Sequence, residues 1–159
     1  MYRSGIGYDA HRFAEGRKLV LGGVEIPNAR GLEGHSDADV LTHAIADALL
    51  GAIGERDIGH HFPNTEEAIR GISSLEILQR VGEILAERQC RIANVDATLI
   101  AEAPKIGPHL EAMREKISAV LGIDIFRVGI KATTNEGMGA LGRGEGMAAL
   151  AVASVEQSE

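Results

Sequence analysis

The run Met147-Ala148-Ala149-Leu150-Ala151-Val152-Ala153-Ser154-Val155 limits the possible folds more than any other stretch. Its small apolar residues fall on both alternating sets of a strand, so it reads as a strand apolar on both faces. Such a strand needs a cover on each side. Helices can supply one cover and a partner subunit the other. The rest of the chain offers the helices. Residues 37–53 carry Leu41, Ile45, Ala48, Leu49 and Ala52 at helical spacing, with Ser36 or Asp37 as candidate N-cap. A second helix starts at Ser73 or Ser74 and runs to about Arg88, with Leu75, Leu78 and Leu85 inward. A third has Leu110, Met113, Ile117, Val120 and Leu121 on one face and Gly122 as its stop.

Strands alternate with these helices. Residues 2–8 read as a first strand with Ile6 and Tyr8 on one face; if it continues, Asp9 and His11 point the same way. Leu19-Val20-Leu21 and Val24-Glu25-Ile26 flank Gly22-Gly23 as a hairpin. Residues 27–34 read as a loop, 55–64 as irregular, 92–101 and 126–132 as strands. Two prolines make 103–108 a tight connector, and 133–146 is a polar, glycine-rich loop. The expectation is one α+β domain over residues 1–159, a small mixed sheet with helices packed on one face.

Aromatic residues are only 3% of the 159, with no Trp, so the core must be aliphatic and base stacking is a poor recognition mode. The formal charge of −7, without a basic run, argues against nucleic-acid and anionic-membrane surfaces. A phosphorylated ligand would need local cations. Cys90 is the single cysteine, which excludes an internal disulfide and a cysteine-rich zinc cluster. With no signal-like or membrane-length apolar run, the expected compartment is the cytoplasm.

The chemistry-bearing groups are few. Asp9, His11 and His43 offer one carboxylate oxygen and two imidazole nitrogens, a donor set suited to zinc with an open position. His60 and His61, beside Asp57, are alternative ligands. Asp39, His43 and Asp47 share a helical stripe, which makes either carboxylate a candidate to orient His43. His35-Ser36 precedes a helix start, where free N–H groups can seat an anion. Thr133-Thr134-Asn135-Glu136, with Arg143, could cradle phosphate and a hard cation. There is no Walker A loop and no G-x-S-x-G elbow, and Cys90 has no evident base, so a covalent nucleophile lacks a candidate.

Six motifs occur in order: D-A-H at 9–11, G-H-S-D-A-D-V-x-x-H at 34–43, D-I-G at 57–59, A-x-A-P-K at 101–105, K-A-T-T-N-E at 131–136 and G-R-G-E-G at 142–146. Taken jointly, they resemble the 2-C-methyl-D-erythritol 2,4-cyclodiphosphate synthase family over essentially the whole chain. The resemblance implies a homotrimer around a threefold axis, with active sites between subunits. It implies a cytidine-diphosphate substrate, 4-diphosphocytidyl-2-C-methyl-D-erythritol 2-phosphate, closed to the cyclic diphosphate with release of CMP. It places Zn2+ on Asp9, His11 and His43, and Mg2+ or Mn2+ on Glu136 and the substrate diphosphate. His35 and Thr134 fall at transition-state-stabilising positions. Asp9, Ala10 and His11 fall at substrate-binding positions, and Ser36, Asp57, Ile58, Gly59, Phe62, Pro63, Asn64, Thr65 and Glu66 on the methylerythritol-phosphate side. Ala101, Glu102, Ala103, Pro104, Lys105, Ile106, Gly107 and Thr133 fall on the cytidine-diphosphate side. Asn135, Ala140 and Arg143 complete the contacts. Asn64 stands where family members often carry Asp, and Ala140 where they often carry an aromatic. Arg143 and Glu145 are candidates to line the threefold axis, where an isoprenoid diphosphate sometimes binds in the family. The alternatives are a non-catalytic trimer binding metal and a phospho-ligand, and a metal-dependent phosphodiesterase.

Overall fold

The computed structural model describes residues 1–63, 65, 67 and 70–158. The first strand is longer than its alternating pattern suggests: β1 spans Tyr2–Glu15 and carries Asp9 and His11 within it. β2 (Leu19–Leu21) and β3 (Val24–Ile26) form the expected hairpin, a separate two-stranded sheet. The stretch read as a loop contains β4 (Arg30–Leu32), which pairs antiparallel with the end of β1. Three residues are too few to show a period, so only pairing reveals it.

α1 covers Val40–Ala52 and is capped by Asp39, not by Ser36 or Asp37. The Asp39 carboxylate accepts the Thr42 N–H and hydroxyl, and also the Gly22 and Gly23 N–H groups of the β2–β3 turn. One buried side chain therefore starts the helix and pins the hairpin beside it. Burial pushes its pKa up, against the pull of these bonds. A short helix, α2 (Ile58–His61), follows with Asp57 as its N-cap. α3 (Ser74–Glu87) begins after Ser73 and buries Ile77, Leu78, Val81 and Leu85. β5 spans Cys90–Ile100, and α4 (Leu110–Leu121) ends at Gly122 in the left-handed conformation. β6 is Val128–Thr133; Phe126, read as its start, lies on a preceding 3-10 turn and is exposed. α5 (Gly139–Gly142) is a single turn inside the glycine-rich loop, and β7 (Gly146–Gln157) closes the chain.

The main sheet has the order β4-β1-β7-β5-β6, with β5 and β6 parallel and the other pairs antiparallel. α1 lies across β1 and β7. Two glycines allow it to lie close: a Cβ built on Gly7 would fall 1.9 Å from the Ala44 carbonyl oxygen, and one on Gly5 would fall 2.2 Å from that of Ala48. Gly5, Gly7, Asp9 and His11 share this inner face. On β7 the inner residues Met147, Ala149, Ala151, Ala153 and Val155 are buried. The opposite face is open. Leu150 (40% exposed) and Val152 (45%) pair with Tyr8 (60%) and Ile6 (68%) across β1. Helices thus cover one side of the small-residue strand, and the described residues do not supply the second cover it calls for. Among the described residues no helix is long and apolar enough to cross a membrane.

Candidate metal centre and phosphate-binding site

The sheet gathers the sequence-predicted residues at one of its ends. Ala10 of β1 is level with Ala148, Ile100 and Thr133 of the next three strands. Within this row, Asp9 and His11 project toward α1, and the helix presents His43 to them. Asp9 Oδ2 lies 2.8 Å from His11 Nε2 and 3.0 Å from His43 Nδ1. These three atoms converge as a metal-ligating set would, all within 4.8 Å of one another. Each of the three offers one ligand atom of a kind zinc accepts. His60 and His61 lie outside the cluster; His61 Nε2 instead sits 3.4 Å from Glu55.

The Asp9 carboxylate is hydrogen-bonded to both imidazoles. Burial raises the Asp9 pKa, but hydrogen bonds and charge from His11 and His43 outweigh it and hold the carboxyl far below its usual range. For His11, burial lowers the pKa, and the Asp9 bond and charge with the Glu33 carbonyl more than reverse it. Imidazole and carboxylate ligands bind metal in their deprotonated forms, so a metal ion at such a cluster would displace protons.

The far nitrogens of both imidazoles are also engaged. His11 Nδ1 lies 2.7 Å from the Glu33 carbonyl oxygen. A carbonyl only accepts, so Nδ1 carries the proton and Nε2 is free to ligate. His43 Nε2 faces Ser74 Oγ at 2.8 Å and Ser36 Oγ at 3.3 Å. The expectation that Asp39 or Asp47 orients His43 is overturned. Asp39 is turned back to cap α1, and Asp47 Oδ1 accepts the Ile58 N–H. Helical spacing gave the stripe correctly but not the rotamers. At the start of α1, where an anion seat was expected, the Asp39 carboxylate already accepts the Thr42 N–H.

Around the cluster, Arg17 donates to the Gly34 and Ser36 carbonyls, both at 2.6 Å, and so clamps the turn that carries His35 and Ser36. His35 is exposed. Ser36, His43, Ile58, Gly59 and Phe62 line a small cavity of about 50 Å³ with Ile72 and Ile77. Pro63 and Thr65 follow this wall; Asn64 and Glu66 lie outside the described residues. On the other flank, Ala10, His11 and Ala140 line a cavity of about 170 Å³ with Glu145. Arg143 donates to Glu145 at 2.9 Å.

The remaining predicted residues form a second group. The Ala101 N–H donates to the Thr133 carbonyl, and the Glu102 carboxylate accepts from the Asn135 and Gly137 N–H groups. Thr134 Oγ1 accepts the Glu136 N–H, and Glu136 adopts a left-handed φ of 52°. Ala103, Lys105 and Gly107 are exposed, Pro104 is half-buried and Ile106 is buried. Thr133, Thr134 and Glu136 are exposed, and Glu136 is not part of the three-residue cluster. A groove of about 610 Å³ between α3, α4 and the start of β5 contains none of the predicted residues.

Sequence reasoning missed Ser74, Asp37, Arg17 and Glu33 as the surroundings of the cluster. The glycines at 5 and 7, spaced like Asp9 and His11, were the available signal that a helix would pack against this face.

Comparison with known proteins decides the family. The YgbB family profile matches residues 2–156. The chain belongs to the YgbB family. Among YgbB relatives, the 2-C-methyl-D-erythritol 2,4-cyclodiphosphate synthase of Alkaliphilus metalliredigens is 60% identical over 156 residues, 98% of each chain. That of Symbiobacterium thermophilum is 62% identical over 151 residues, 95% of this chain and 96% of its own. Solved YgbB-like structures include a CDP complex of IspF from Plasmodium falciparum, with TM-score 0.86 and 33% identity, covering 99% of this chain and 97% of that one. The bifunctional IspDF of Campylobacter jejuni superposes with TM-score 0.95 at 38% identity; all of this chain matches 43% of that longer one.

Proposed function

We propose that this YgbB-family chain converts 4-diphosphocytidyl-2-C-methyl-D-erythritol 2-phosphate to 2-C-methyl-D-erythritol 2,4-cyclodiphosphate and CMP. The observation that carries the reading is the convergence of Asp9, His11 and His43 at the sheet end that also bears Thr133. Full-length relatives named for this activity support it.

The chemistry matches the residues. A phosphate monoester is largely dianionic near neutrality, its second pKa being about 6. One oxygen of the 2-phosphate attacks the β-phosphorus, the bond to the bridging oxygen breaks, and the electron pair leaves with CMP. The nucleophile belongs to the substrate, so no serine, cysteine or strong base is needed. The protein's task is in-line placement and neutralisation of charge. Zn2+ held by Asp9, His11 and His43, and Mg2+ or Mn2+ at Glu136, would supply Lewis acidity and a template for the diphosphate. Ser36, the 57–59 turn and the wall at Phe62 hold the methylerythritol phosphate. Glu102 shapes the 133–137 loop, whose Thr133 and Thr134 hold the diphosphate with Arg143, while residues 101–107 receive the cytidine. His35 and Thr134 stabilise charge on the transferring group.

A homotrimer completes the site. Ala132 is level with Asp9 but three strands away, about 14 Å at the usual strand spacing. The open face of Ile6, Tyr8, Leu150 and Val152 offers an apolar surface for a second copy. The Zn2+ half of one subunit then meets the Glu136 half of its neighbour.

Product analysis tests the reaction. Cyclic diphosphate with CMP is the expected outcome; an open-chain product would mean hydrolysis by water, and no turnover would mean a binding module. Mixing His43→Ala with Glu136→Ala chains tests the shared site. Mixed trimers should regain part of the activity, because some interfaces then hold two intact halves. No recovery would place the whole site within one chain.

A further inference from the structure

We propose that Ser74 and Asp37 are positioning residues that hold His43 in the tautomer able to bind metal, a role that rests on the metal-centre reading above. The argument is one of donors and acceptors. Asp37 receives three donors: the Ser74 hydroxyl at Oδ1, the Ser74 N–H at Oδ2 (2.9 Å) and the Asp39 N–H at Oδ1 (3.2 Å). A carboxylate accepts and does not donate, so the Ser74 hydroxyl proton is committed to Asp37. Ser74 Oγ then has only lone pairs to offer His43 Nε2 at 2.8 Å. Nε2 must carry a ring proton, which makes Nδ1, facing Asp9 and His11, the nitrogen that is given over to metal.

The arrangement is buried and built from three separate segments. Ser74 is fully buried at the first turn of α3, and His43 is nearly so on α1. Asp37 lies in the turn that leads into α1, where the left-handed φ of Ala38 (56°) separates it from the capping residue Asp39. Ser36 Oγ is farther from Nε2, at 3.3 Å, and already accepts the Ala38 N–H at 3.1 Å. His11 has its own device in the Glu33 carbonyl, which cannot reverse direction. A hydroxyl can reverse, and the Asp37 carboxylate prevents it.

The experiment is a zinc titration of the full chain against a chromophoric chelator, with thermal unfolding of the metal-free proteins recorded alongside. Ser74→Ala should weaken zinc binding roughly 10- to 100-fold. Ser74→Thr, which keeps the hydroxyl, should restore most of the affinity. Asp37→Asn should weaken binding at least as much as Ser74→Ala. Its amide can donate to Ser74 Oγ, turning the hydroxyl proton toward His43 and favouring the wrong tautomer. Independent of any variant's folding, long-range proton–nitrogen correlation NMR of the zinc-loaded wild type should show a slowly exchanging proton on His43 Nε2. Wild-type zinc affinity in Ser74→Ala, or a rapidly exchanging Nε2 proton, would overturn the proposal while leaving the metal centre standing. Failure of the wild type itself to bind zinc, with His43→Ala unchanged from it, would instead overturn the metal centre.

Discussion

Asp9, His11 and His43 lie between β1 and α1 with both nitrogens of each imidazole engaged, whereas Thr133, Thr134 and Glu136 stand exposed on a loop tied down by Glu102. The first group inherits its geometry from the core. Gly5 and Gly7 set how close α1 can come, and the same helix that buries Leu41, Ile45 and Leu49 delivers His43. The second group is shaped by a few hydrogen bonds and a left-handed Glu136. The difference teaches that a chain can preorganise a cluster of potential cation ligands by packing and hydrogen bonds together, while its exposed loop is held by far fewer contacts.

The largest effect should come from removing a ligand on the packed side. His43→Ala is expected to lose zinc and turnover while retaining the fold, checked by metal analysis and circular dichroism. Full zinc content in that variant would dissolve the contrast between the halves. Next, Glu136→Ala should keep zinc yet lose most turnover; undiminished turnover would leave the open half without its proposed cation. Gly7→Ala probes how far the packed half depends on helix approach. The added Cβ meets the backbone of α1, so the variant should lose about 1–3 kcal/mol of stability and bind zinc less tightly. Denaturant unfolding and zinc titration would record both, and an unchanged zinc affinity would uncouple the helix position from the site.

The smallest effect is the pH dependence of the metal-free protein. His11 has a raised pKa in the fold, so its protonated form contributes stability that is fully present below the ordinary value of 6.5. That contribution is lost as pH rises through the raised value. Asp9 is depressed, so its contribution is present above the ordinary 3.8 and lost as pH falls through the depressed value. Zinc must displace the His11 proton, so binding should weaken as pH falls through that raised value. Thermal unfolding of chelator-treated protein and zinc titration from about pH 5 to pH 8 would show both trends. Flat profiles would mean that Asp9 and His11 are not coupled in this way.

Much of the scaffold was legible because it rests on local periodicity. The α3 and α4 stripes, the Gly22-Gly23 hairpin and the Gly122 stop need only neighbours in sequence. The elements misread were those set by pairing or by competition. β4 exists because β1 continues past Asp9 far enough to hold it. Asp39 became the N-cap because its carboxylate also meets two N–H groups of a distant turn, which Ser36 and Asp37 do not.

The residue types capable of holding a divalent cation and phosphate, and their order along the chain, were determined by the sequence itself, because donor chemistry belongs to the side chain. Which carboxylate faces His43 and which hydroxyl backs it were decided only by tertiary structure. Rotamers and hydrogen-bond direction follow from what is packed on every side, and Ser74 reaches His43 from another helix, 31 positions along the chain.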